Sequence, residues 1–131
     1  MNRKATKLIV TLTFLTLALA VAPTAPAAAQ DVYWRAEYYA NVNLEGAPAC
    51  VGQFDYVNIA VDWEFGGPED CPQVGTDGFS VRWTRWFSFD EGHYRFWAAT
   101  DDGVRVYVDG DLVIDEWFPR QPGWTTAERD V

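Results

Sequence analysis

Around one dipeptide, apolar residues recur at every second position: Val104, Val106 and Val108 run into Asp109-Gly110, and Leu112 and Ile114 leave it. Alternation of this kind puts one face of a strand toward a core and the other toward water. Asp-Gly between two such runs favours a two-residue turn with positive φ, so the segment is predicted to be a β-hairpin. The same period continues upstream. Phe79, Val81, Trp83, Phe87 and Phe89 share one face of a strand predicted over residues 79–89, opposite Ser80, Arg82, Thr84 and Ser88. Asp90-Glu91-Gly92 reads as a turn. Tyr94, Phe96 and Ala98 then alternate with Arg95, Trp97 and Ala99 in the next strand. Residues 32–39 and 57–65 read as two further strands, separated by a Gly- and Pro-bearing loop that holds Cys50. The sequence shows no amphipathic helix of useful length. Many short strands between turn signals predict an all-β fold, an antiparallel β-sandwich or barrel.

The N-terminus follows another pattern. Arg3, Lys4 and Lys7 precede an almost wholly apolar run over residues 8–22, and small residues follow up to Ala27-Ala28-Ala29. This is the layout of a secretory signal peptide over residues 1–29, cut before Gln30. The apolar run of 15 residues is shorter than the roughly 20 needed to cross a bilayer as a helix, so a retained anchor is disfavoured. The expected location is secreted, extracellular or at the cell surface, with no membrane span in the mature chain. Residues 30–131 are then the module, with seven cations, all arginine, against nineteen acids. Such an excess of negative charge repels phosphate and excludes a nucleic-acid partner. Seven Trp, six Tyr and eight Phe in 131 residues exclude a disordered chain, because so much aromatic surface has to be buried somewhere. Export also bears on the cysteines. Cys50 and Cys71 are the only pair, and in an oxidising compartment they are expected to form a disulfide. Closing a loop of about 20 residues stabilises a fold by roughly 3 kcal/mol in the chain-entropy model. The single histidine, His93, is too far along the chain to complete an obvious zinc site with them.

Several blocks, in this order, resemble a known module: Trp34-Arg35-Ala36-Glu37-Tyr38-Tyr39, Leu44-Glu45-Gly46-Ala47-Pro48, Asp62-Trp63 with Gly66-Gly67-Pro68, Phe79-Ser80-Val81-Arg82-Trp83-Thr84, and Thr100-Asp101-Asp102-Gly103-Val104-Arg105-Val106-Tyr107-Val108-Asp109-Gly110. Together they look like the protective-antigen-type module called the PA-fourteen domain, found in bacterial protective antigens, flocculin-type adhesins and some β-glucosidases. The resemblance implies a β-sandwich that mostly binds carbohydrate or serves as an accessory module. In the adhesin branch the sugar is held through a calcium ion. The family pattern continues past the hairpin through further strands and a loop with additional calcium and sugar contacts. The expected fold is therefore a sandwich lacking its closing C-terminal strands, part of a longer parent protein with further domains. Residues 117–124 are expected to be the loop leaving the hairpin, and residues 125–131 the start of a next strand.

By resemblance, Asp101 and Asp102 are the calcium ligands. Calcium takes six to eight oxygen ligands, and two carboxylates also offset its charge. Neighbouring residues on an ordinary strand point to opposite faces; the adhesin branch meets this with a cis peptide between the two aspartates, which is the expectation here too. Asp-Asp-Gly is equally an ordinary turn sequence, and on that reading the pair only shapes a loop beside the hairpin. Trp117 and Trp124 are the candidates for stacking on a sugar ring, with anchoring of a buried loop as the equal alternative. Trp63, Trp83, Phe79, Phe87, Phe96 and Tyr94 are expected in the core, and Arg82 and Arg105 are expected to pair with acids on the solvated face.

No catalytic constellation is expected. Ser80 and Ser88 are placed on a strand, His93 is read as a surface turn residue without a base-and-orienter pair, and no two of the acids stand out as a glycosidase pair. Neither an EF-hand loop nor a phosphate-cradling Gly-rich loop is present. The sequence points to a noncatalytic carbohydrate-binding or adhesion module whose partner is a glycan or cell-surface polysaccharide and whose cofactor is calcium. The alternative is a structural or protein-interaction module of a larger exported protein.

Overall fold

The computed structural model describes residues 33–55 and 57–131. The export signal read over residues 1–29 and its cut before Gln30 lie outside the described residues. Seven strands follow in chain order: β1 (Trp34–Tyr39), β2 (Cys50–Phe54), β3 (Ser80–Thr84), β4 (His93–Thr100), β5 (Val104–Val108), β6 (Asp111–Glu116) and β7 (Gly123–Asp130). Among the described residues between β2 and β3 there is one 3-10 turn, Pro72–Val74. The strands form a three-stranded sheet in the order β2-β1-β3 and two ribbons, β4-β7 and β5-β6. All four pairings are antiparallel. The chain is an all-β, sandwich-type fold, as its alternation predicts.

The β5–β6 hairpin forms where Asp-Gly demands it. Asp109 and Gly110 have φ of 52° and 85°, the positive values of the turn type whose twist matches that of paired strands. A register shift between Val106 and Tyr107 puts one extra residue, Val113, into β6. Val108 and Ile114 are buried, and Arg129 of β7 fastens the turn end of the hairpin by donating to the Val108 carbonyl at 2.9 Å and pairing with Asp111 at 2.9 Å.

The densest core belongs to the three-stranded sheet. Ala36, Tyr38, Cys71 and Val74 are buried together, and Cys50, Phe54, Trp63, Phe79, Val81 and Trp83 pack against them. Trp63 stacks on Trp83, rings 13° apart, and meets Phe79 edge-on. Burial raises the Tyr38 phenol above its ordinary pKa, because the charged form is poorly solvated there. Cys50 and Cys71 are joined in a disulfide, which anchors the excursion between β2 and β3 to this core. Ser80, the one buried polar side chain in the described core, donates to the Asn41 carbonyl at 2.6 Å and accepts from the Leu44 amide at 3.1 Å. It thereby holds the loop between β1 and β2 against β3.

Four expectations are corrected. The strand expected over residues 57–65 is absent: Asp62 accepts the Glu64 amide through its side chain, Gly66 donates to the Trp63 carbonyl, and Glu64 has φ of 47°. These local bonds take the backbone out of any ladder, and only Trp63 reaches the core. The loop expected to hold Cys50 instead contains β2, paired with β1 from Trp34↔Phe54 to Tyr38↔Cys50. The strand expected over residues 79–89 ends at Thr84, opposite Arg35 near the start of β1, where its partner runs out. Beyond it the chain crosses to β4, and Phe87 and Phe89 join a row of ring contacts from Trp34 to Tyr94 and Phe96. Finally, β7 starts at Gly123, so Trp124 lies on a strand and not in the loop. The expected solvent-face pairs form: Arg82 with Glu37 at 3.6 Å and Arg105 with Asp115 at 2.7 Å. At exposed positions such pairs contribute at most about 1 kcal/mol each.

Candidate functional site

Topology builds the site. The connections β4 to β5 and β6 to β7 join the same two ribbons at the same end, because Thr100 pairs with Gly123 and Val104 with Glu116. Residues 101–103 are therefore held beside residues 117–122. Asp102 Oδ1 accepts the Arg120 amide at 3.3 Å, which ties the two loops together. Gly103 lies against the backbone of Glu116 and Phe118: a Cβ placed on it would stand 2.7 Å from the Glu116 oxygen and 2.7 Å from the Phe118 nitrogen.

Asp101 and Asp102 are both exposed, and the peptide between them is cis, as the resemblance implies. The Arg120 guanidinium close by is mostly covered and forms an ion pair with Glu116, so its charge is already matched and does not serve the aspartates. Two consecutive carboxylates thus project from one loop, and neither takes part in the ion pairs found among the described residues. Their hard oxygen donors are the kind that calcium takes. Among the described residues, no group of three or more His, Cys, Asp and Glu is arranged to hold a metal. Protein carboxylates could then supply only part of a six-to-eight-oxygen shell, and backbone carbonyls, water or the hydroxyls of a ligand would have to complete it.

The two tryptophan candidates separate. Trp117 is half-buried, with the Arg105 guanidinium 5.6 Å over its ring. Trp124 is 71% exposed and in contact with Trp97, 59% exposed, at a centroid distance of 5.2 Å. Trp97 was not singled out as a candidate from sequence. Its position opposite Tyr94, Phe96 and Ala98 in the alternation was the available signal, since it sets an indole on the water-facing side.

At the far end of the β4–β7 ribbon lies a polar cluster. His93 is a strand residue, not the turn residue expected; its Nδ1 is 2.7 Å from Asp130 and its Nε2 3.3 Å from Glu128. Arg95 Nε donates to Glu128 at 2.8 Å. The hydrogen bond to Asp130, then that to Glu128, raises the His93 pKa, while Arg95 foremost and then His93 lower that of Glu128. A raised imidazole pKa means that the stabilisation from these pairs is complete below the unfolded-state value and is lost as pH rises through the folded-state value. A shallow depression lined by Glu91, Gly92, His93, Asp130 and Val131 lies here, about 25 Å along the strand from Asp101 at ~3.3 Å per residue. As His93 is the only histidine, its ring resonances are unambiguous in NMR. Their midpoint is expected above that of an ordinary histidine and should fall in Asp130→Asn; identical midpoints in both proteins would contradict the pairing.

Comparison with known proteins agrees with this architecture. The family model of the PA14 domain matches residues 30–130. Among curated proteins, the anti-sigma-I factor RsgI3 of Acetivibrio thermocellus is 38% identical over 87 residues, which covers 63% of this chain and 12% of that protein. The chain therefore spans only a small part of that relative's length. No solved structure matches. On a match that runs from before β1 to the end of β7, the chain belongs to the PA14 domain family.

Proposed function

We propose that this chain is an exported, noncatalytic carbohydrate-binding or adhesion module in which Asp101 and Asp102 hold a calcium ion that a glycan's hydroxyls help to coordinate. PA14 membership suggests a module of the carbohydrate-binding or adhesion type. The observation that carries the finer reading is the placement of two exposed, consecutive carboxylates on the one loop clamped by the β6–β7 connection. A bound cation would offset part of the local negative charge, and vicinal hydroxyls are the natural neutral donors for its remaining positions. Trp124 stands on β7, which starts beside the same loop, and Trp117 opens the β6–β7 connection that clamps it, under Arg105.

Calorimetric titration of the full chain with calcium chloride is expected to give a saturable heat, and Asp102→Ala should weaken the affinity by about tenfold or more through loss of a charged ligand. Equal heats from the two proteins would sink the metal assignment. On a glycan array, binding should disappear with chelator and return with calcium. A second reading draws support from the relative, an anti-sigma factor of which this chain covers 12%: a structural or protein-interaction module of a larger exported protein. A blank array together with a calcium-indifferent chain would favour it.

A further inference from the structure

We infer that Trp97 and Trp124 form a platform on the outer face of the β4–β7 ribbon that stacks against the sugar rings of an uncharged polysaccharide, separate from the ligands supplied by Asp101 and Asp102. The inference rests on the glycan-binding reading and names the class of glycan. The register sets the platform: Trp97 pairs with Thr126 and Trp124 with Ala99, so the two indoles are diagonal neighbours on one face and the small Ala99 leaves their faces open. Their rings meet at 41°, making one shallow apolar surface. Two indoles of up to ~250 Å² each, more than half exposed, present about 300 Å². A stable protein interface needs roughly 800 Å² on each side. That area suits a ligand which is itself narrow and has an apolar face, as a pyranose does through its C–H groups.

The rest of the face points to the charge of the occupant. His93, Arg95, Glu128 and Asp130 share it and are paired among themselves, so they offer hydrogen-bonding groups with no unmatched cation for an acidic sugar. The chain's formal charge of −9 also opposes an anionic polymer. Trp117, covered by Arg105, takes no part in the platform.

The test is affinity electrophoresis of the full chain in native gels containing hydroxyethylcellulose, galactomannan or polygalacturonate. The wild-type chain should be retarded by a neutral gel and not by polygalacturonate. Trp97→Ala and Trp124→Ala should each weaken that binding by about tenfold, the usual scale for truncating a central aromatic contact, and Trp97→Phe should keep part of it. Near-UV circular dichroism and the intact disulfide check that the variants fold. Equal retardation of wild type and Trp97→Ala would overturn the platform and leave the glycan reading standing. Retardation by polygalacturonate alone, or by no gel, would also overturn it; glycan-array hits would then keep the broader reading alive, and a blank array would end both. A dimer in sedimentation that Trp97→Ala dissolves, without retardation, would assign the patch to a second copy of the chain.

Discussion

Replacing Cys50 and Cys71 together by alanine is expected to cost about 3 kcal/mol and to lower the melting temperature by roughly 12–24 °C for a domain of this size. The bond spans 21 residues, and the unfolded chain regains that loop's freedom when it is cut. The folded side loses as well. Cys71 is fully buried with Ala36, Tyr38 and Val74, and the excursion it anchors, between the end of β2 at Phe54 and the start of β3 at Ser80, carries only the turn Pro72–Val74 among the described residues. Trp63 and Val74 reach the core from that excursion, so loosening it should expose the Trp63 indole. Thermal melts with and without reductant measure the effect. If the wild-type midpoint is indifferent to reductant and equals that of the double variant, the disulfide does not hold this core.

The order of the strands was legible wherever a turn signal and an alternation coincided. Asp109-Gly110 set the β5–β6 register at its tip, and Tyr94, Phe96 and Ala98 gave β4 its inward face. Alternation alone was not enough. Val57, Ile59 and Val61 keep the period of two, yet all three are exposed, because Asx and turn bonds between Asp62 and Gly66 compete for the backbone. β2 escaped notice for the converse reason. It has five residues with Gly52 in the middle, and only its pairing with β1 makes it a strand; rings of Tyr38 and Phe54 lie 3.7 Å from where a Gly52 Cβ would be. Pairing over that distance is a tertiary fact that no local pattern carries.

For the site, sequence gave the position of Asp101 and Asp102 but not what flanks them. The neighbour loop comes from topology, in that two ribbons share two connections at one end. Trp124 was singled out as a loop residue and is a strand residue with a partner, Trp97, that the alternation had placed on the wet face. A large aromatic on the polar side of a strand was the signal to weigh, since burial cannot explain it.

Gly103→Ala is expected to destabilise the chain by about 1–3 kcal/mol, the usual cost of overpacking, and to weaken whatever binds at Asp101 and Asp102. The reason is space, not backbone conformation. Gly103 does not adopt a positive φ, whereas Gly110 has φ of 85° and nothing within 4 Å of an added Cβ. At Gly103 the added carbon would meet the Glu116 and Phe118 oxygens at 2.7 and 2.8 Å. These are backbone atoms, which cannot swing aside as a side chain does, so residues 116–118 would have to move as a unit. That movement would pull the Arg120 amide from Asp102 and shift the end of β6 against β5. Gly110→Asn is the control, because asparagine tolerates positive φ and the position is open; its melting temperature should stay close to wild type. Gly103→Ala should lose stability and, in the calcium titration, lose affinity as well. A variant that melts with the wild type and binds calcium equally would show that the two loops are not held against each other through Gly103.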